Sequence, residues 1–114
     1  MSKRRDEAFV NDIKEALTRI ENYTKAVDYK AFLKKTIIQD AVVRNLEIIG
    51  EAVKNLSKDL KERYKDIEWK DLAGLRDKII HHYFGIKWSI VWSIIKDKIP
   101  ELKEKIDGII KREF

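Results

Sequence analysis

Apolar residues return at steps of three and four along nearly the whole chain, and no stretch alternates apolar and polar residues as a half-buried strand would. Phe9, Ile13, Ala16, Leu17, Ile20, Tyr23 and Val27 share one stripe, which predicts a first helix over about residues 6–27 with charged outer faces. A longer pattern starts near Tyr29 and runs through Phe32, Leu33, Ile37, Ala41, Val42, Leu46, Ile49, Val53 and Leu56. Ile38, Val43 and Ile48 lie beside that stripe, so the second helix is apolar on more than one side. Such a helix needs more than one partner, and in a small domain the second is often another subunit.

Ser57 is placed to cap a short helix over 58–64, and residues 65–68 connect it to the next element. A third main helix is expected over about 69–83, with Leu72, Ile79 and Ile80 inward and Gly85 placed to stop it. Residues 87–98 form another stripe through Ile90, Val91, Ile94 and Ile95, and Pro100 suits the first turn of a final helix carrying Leu102, Ile106, Ile109 and Ile110. There is no repeat, linker or low-complexity stretch. The expectation is one all-α domain over residues 1–114, an antiparallel bundle of four to five helices.

Composition narrows the chemistry. The 114 residues can bury one core without staples, and the absence of cysteine removes disulfides, thiolate metal sites and a cysteine nucleophile, which suits a reducing cytoplasm. No apolar run approaches the ~18 residues of a membrane span, and no export signal is legible. A formal net charge of +5 is mildly basic and tilts the choice of partners toward nucleic acid.

The two histidines are adjacent, in the run Leu75 to Gly85. On a continuous helix Arg76, Ile79, Ile80 and Tyr83 share one side, Asp77 and His81 stand one turn apart on a flanking strip, and His82 points about 100° away. Asp77 would then accept a hydrogen bond from His81 and raise its basicity. Spacing alone serves equally well for a solvated charged face. No metal is expected, since adjacent histidines on a helix face apart and no cluster with ligand spacing occurs, and no other cofactor is called for. The four glycines follow no phosphate-loop spacing.

The run from Arg76 through His81 to Tyr83 resembles the motif of HepT proteins, a branch of the HEPN superfamily of small α-helical nucleotide-binding and RNase domains: arginine, four residues, histidine, one residue, tyrosine. Similar flanking stretches follow the same order: Arg44 to Ala52, Asp66 to Gly74, Tyr83 to Ile86, Ile90 to Trp92, and Ile99 to Lys103. The likeness spans about residues 37–106. Asp77 departs from the commonest pattern, which has asparagine after the arginine.

The resemblance implies the RNase toxin of a toxin–antitoxin pair: a homodimer that cleaves RNA without metal, with Arg76 and His81 as catalytic residues at a cleft near the two-fold axis. It further implies that Tyr83 is the target of a nucleotidyltransferase (MNT-type) antitoxin, which adds AMP and silences the toxin. The residue chemistry is compatible. RNA carries its own nucleophile, the 2′-hydroxyl, so a base, an acid and a cation suffice. The Arg76 guanidinium can hold two phosphate oxygens, and His81 can move a proton near neutral pH. Five residues on a helix set the two about 140° apart, so side-chain reach or a second subunit must bring them together.

Arg44, Glu47 and Glu51 are spaced to share a face and, with Asp77, are the supporting candidates, either lining the cleft, pairing across subunits or forming a solvated surface. Tyr83 read without the family is a helix-end aromatic with its hydroxyl at the surface. Trp69, Trp88 and Trp92 are assigned to core or interface. The competing function is a non-catalytic helical module that holds a nucleotide or a partner protein, with Arg76 as phosphate anchor.

Overall fold

The computed structural model describes the backbone of residues 2–81 and 85–114 and the side chains of 3–80 and 85–114. Helix α1, Ser2–Thr24, buries Val10, Ile13, Leu17 and Ile20 on one stripe, as its periodicity requires. It ends where the Thr24 hydroxyl donates to the Ile20 carbonyl at 2.8 Å and the Val27 N–H closes a turn on Thr24.

The continuous second helix expected from Tyr29 to Leu56 is instead two. Asp28 caps α2, Tyr29–Phe32, by accepting the Ala31 N–H at 2.8 Å, and α3, Thr36–Asn55, begins after a three-residue turn. The break separates two demands on one stripe. Phe32 packs on Trp88 and Trp92 at ring-centroid distances of 5.7 and 5.1 Å, while α3 turns Val42, Leu46, Ile49 and Val53 into the main core.

Ser57 caps α4, Lys58–Arg63, by accepting the Leu60 N–H, and at the same time donates its N–H and hydroxyl to the two carboxylate oxygens of Asp6, at 2.8 and 2.6 Å. Asp6, at the start of α1, is buried, and these donors satisfy a charge that would otherwise be costly there. The bond ties the beginning of α1 to the end of α3, so the two helices run antiparallel.

The third main helix expected over 69–83 is the largest departure. It divides at Gly74 into α5, Trp69–Ala73, and α6, Leu75–Ile79, and then leaves helical geometry. Ile80–His81 (β1) pairs antiparallel with Gly85–Ile86 (β2), Ile80 opposite Ile86 and His81 opposite Gly85, and the Lys87 N–H closes the hairpin on the Ile79 carbonyl at 2.9 Å. Gly85 has φ +74°, which only glycine adopts readily. It serves the hairpin rather than stopping a helix. Two paired residues per strand are too few to leave a period-two signature.

The stripes over 87–98 and after Pro100 belong to one uninterrupted helical path: α7, Trp88–Ser93, a π-helical turn over Ile94–Lys98, and α8, Ile99–Glu113. Proline has no N–H and its ring crowds the carbonyl four residues back. The widened turn relieves that position, and the Ile99 N–H reaches back five residues to Ile94. Pro100 stands in the first turn of α8, as expected, and the widened turn before it joins that helix to α7 without a break. Lys14–Asp107 at 2.8 Å and Lys103–Glu21 at 2.9 Å show α8 lying antiparallel along α1.

The described residues thus form an all-α architecture with one short hairpin. The second-partner argument for α3 changes in detail: Val43 is buried within the protomer, and Ile38 and Ile48 are half-buried against its core. Ile37, 84% exposed, is what remains uncovered. At the far end, Glu113 accepts from Arg63 Nε and Nη2 and from the Tyr64 hydroxyl at 3.2, 2.9 and 2.8 Å. The Arg63 bonds hold its carboxyl below the ordinary carboxylate range, while burial, reinforced by the bond to Glu113, pushes the Tyr64 hydroxyl up. None of the helices is long and apolar enough to cross a membrane, among the described residues.

Candidate active site

Arg44, Glu47 and Glu51 stand at i, i+3 and i+7 on α3, on the side turned away from the core. They share that face as their spacing requires. Together with Phe9 and Asp12 of α1 they line an open groove between the two helices. Asn45 beside them turns inward: it is buried, and its side-chain N–H donates to the Ala41 carbonyl at 2.8 Å.

Arg76 approaches the same face from α6. Its Nε lies 3.9 Å from Glu47 Oε2, an ion pair at the limit of contact and too long for a hydrogen bond. The arginine side chain is 71% exposed. An exposed pair of this length adds little stability, and it leaves most of the arginine side chain open to solvent.

The residue that lets α6 come this close is Gly50, which spacing arguments about charged side chains do not single out. A Cβ at Gly50 would stand 3.1 Å from the Leu72 carbonyl oxygen. The end of α5 is thereby seated on α3 one turn past Glu47, and the next turn of chain carries Arg76. A signal was available: glycine inside a long helix costs about 1 kcal/mol against alanine, so its presence mid-helix asks for a close neighbour.

Asp77 is exposed on α6 beside Arg76. The continuous helix on which its predicted hydrogen bond with His81 rests is not present, because α6 ends at Ile79 and His81 is in the extended backbone of β1; the bond itself falls on a side chain outside the described residues. Asp77 and His81 are therefore not one helical turn apart, and the wheel that set Tyr83 on the arginine's side does not apply beyond Ile79. The same break means that the ~140° separation of Arg76 and His81, which holds on a continuous helix, does not describe this pair. The His81 side chain, and His82 and Tyr83 entirely, lie outside the described residues. Among those described, no three histidine, aspartate or glutamate side chains converge as a metal site would need.

Trp69 is core, as expected: it is buried and its indole N–H donates to the Tyr64 and Lys61 carbonyls. Trp88 and Trp92 are only half-buried.

Residues 13–109 match the family described as ribonuclease HepT-like. Among similar proteins, one from Methanocaldococcus jannaschii named "Putative RNase MJ1216" is 49% identical over 111 residues, which cover 97% of this chain and 92% of that protein. "Probable ribonuclease HepT" of Thermococcus cleftensis is 41% identical over 109 residues, covering 96% of this chain and 99% of the relative. "Putative RNase TTE0752" of Caldanaerobacter subterraneus is 45% identical over 89 residues, covering 78% and 80% respectively. No solved structure matches the chain.

Proposed function

The chain belongs to the HepT-like ribonuclease family, and from that premise we propose that it is a metal-independent endoribonuclease, the toxin of a toxin–antitoxin pair. The observation that carries the proposal is Arg76: a largely exposed guanidinium on the wall of the α3 face, beside Glu47, five residues before a histidine that stands just past a helix end. In the proposed reaction His81 takes the proton of a ribose 2′-hydroxyl as its oxygen bonds to phosphorus. The bond from phosphorus to the 5′-oxygen breaks, and that oxygen leaves with a proton supplied by a second imidazolium in the dimer. Arg76 neutralises the charge gathering on the non-bridging oxygens. A 2′,3′-cyclic phosphate and a 5′-hydroxyl are the products.

Dimerisation through α3 fits this reading. Ile37, Ala41, Arg44 and Ile48, at i, i+4, i+7 and i+11, form a stripe that is at least partly exposed, and it borders the Glu47–Arg76 pair. A two-fold contact along it would set two copies of the motif beside one cleft. Addition of AMP to Tyr83 by a nucleotidyltransferase would bring a phosphate anion into competition with RNA for Arg76, which is how the antitoxin would silence the enzyme.

The test is RNA cleavage by purified protein in EDTA. Cleavage should persist on chelation, and Arg76→Ala or His81→Ala should each lower it ~100-fold or more. Loss of activity on chelation, restored by a divalent ion, overturns the chemistry; binding without any product favours the non-catalytic module. Co-expression with the nucleotidyltransferase should add AMP mass to the wild type and none to Tyr83→Phe.

A further inference from the structure

A second surface feature lies apart from the Arg76 face. The connection after α1, helix α2 and the α7–π turn enclose an open groove whose lining includes Lys25, Val27, Asp28, Tyr29, Trp92 and Lys96. Tyr29 is 37% exposed, and its ring lies 5.8 Å from Trp92, which is itself seated on buried Phe32. Lys96 Nζ sits 4.7 Å from the centre of the Trp92 ring.

The charge around this groove is one-sided. Residues 25–35 hold Lys25, Lys30, Lys34 and Lys35 against a single acid, Asp28. All four lysines are exposed, and neither they nor Lys96 form an ion pair among the described residues. Asp28 has its carboxylate engaged in capping α2. The acid next to Lys96, Asp97, lines a different cleft with Lys78 and Lys98.

We propose that this groove binds single-stranded RNA by stacking bases on Tyr29 and Trp92 while Lys25 and Lys96 hold the backbone. Core packing alone would account for Phe32 and Trp88, which are turned inward on one another; it leaves unexplained an exposed tyrosine stepped against a half-buried tryptophan and rimmed by unpaired lysines. Aromatic platforms beside cations are the arrangement that takes up unpaired strands of any sequence, because every base has a π face. Lys96 now covers the indole. A cation over an exposed ring is held less firmly than a stacked base, so the ligand can displace it from the ring toward a phosphate. A duplex, whose bases are stacked on each other, would gain only the charge.

The placement suits a substrate path. Strand β2, paired with Ile80–His81, leads through Lys87 into α7, where the four-residue step from Trp88 to Trp92 rises only about 6 Å along the helix axis. The choice of RNA as ligand rests on the ribonuclease reading, but the groove can be tested without any cleavage.

The experiment uses the full chain carrying Arg76→Ala, which prevents turnover, titrated with a ten-nucleotide oligouridylate while tryptophan fluorescence is followed. Binding should quench the emission and weaken as salt rises. Lys25→Glu with Lys96→Glu should lower affinity about tenfold or more and flatten the salt dependence. Tyr29→Ala should weaken binding several-fold and leave the salt dependence unchanged. Trp92→Phe, which keeps a ring on Phe32, should bind within a few-fold but lose most of the quench. Unchanged affinity in the double lysine variant, a quench that persists in Trp92→Phe, or no quench at all would each overturn the groove. Absence of cleavage by the wild-type chain would remove the ribonuclease reading and leave these binding results standing, so the two failures are distinguishable.

Discussion

The slab formed by α1, α3 and α8 and the segment from Trp69 to Lys87 are built from the same kind of sequence and behave in opposite ways. In the slab, apolar residues at helical steps bury one continuous stripe per helix, and the charged residues between them reach solvent or pair across helices. In the segment, an equally helical pattern yields two short helices, a sharp exit at Ile79 and a two-residue hairpin. The slab is where energy is stored, and the segment is where the candidate chemistry is displayed. Regular structure buries side chains efficiently, while a chain that changes direction leaves the Arg76 side chain largely exposed.

The comparison breaks most visibly if the two regions are damaged in turn. Leu46→Ala, at a position with no exposure, should cost about 2–5 kcal/mol of unfolding free energy, read by denaturant titration, with the cleavage that remains tracking the folded fraction. A loss below ~1 kcal/mol would mean that the α3 stripe is not the main core.

The reverse signature is expected in the segment. Combining Arg76→Ala with His81→Ala should cleave RNA only slightly less than either single variant, while thermal midpoints stay within about 2 °C of wild type. Multiplicative losses would show that the two residues act separately.

Gly50→Ala tests the contact between the regions. The new Cβ would press on the Leu72 carbonyl from 3.1 Å, while the helix gains about 1 kcal/mol of propensity, so stability should move little. Cleavage should fall about tenfold, because even a small displacement of α5 moves Arg76 from its place beside Glu47. Full activity in this variant would detach the site from the Gly50 packing.

The smallest effect belongs at the slab's outer end. The Glu113 carboxyl is held below its ordinary value by the Arg63 and Tyr64 bonds, so the folded protein takes up its proton less readily than the unfolded chain. Its contribution is present above the ordinary glutamate value of about 4.3 and is lost as pH falls through the lower folded value. Between pH 6 and 3 the thermal midpoint of wild type should drop more than that of Glu113→Gln, and parallel curves would rule this contribution out.

What the amino-acid sequence determined by itself was whatever depends on neighbours three, four and seven residues away. It is enough to place the stripes of α1, α3 and α8, the Ser57 cap, the shared face of Arg44, Glu47 and Glu51, and the family motif around Arg76. Tertiary structure decided the rest. Phe32 left the stripe of α3 because Trp88 and Trp92 offered it another core. Gly50 admitted the α5 backbone, and although a mid-helix glycine asks for some close neighbour, only the folded chain shows that the neighbour is Leu72 and that Arg76 comes to lie beside Glu47. The helix ended at Ile79 although Ile80 and His81 continue its pattern, since closing the hairpin on Ile86 and Lys87 competed with the next helical turn. Local periodicity records which residues want burial; which of several burials the chain adopts depends on surfaces that meet only after it has folded.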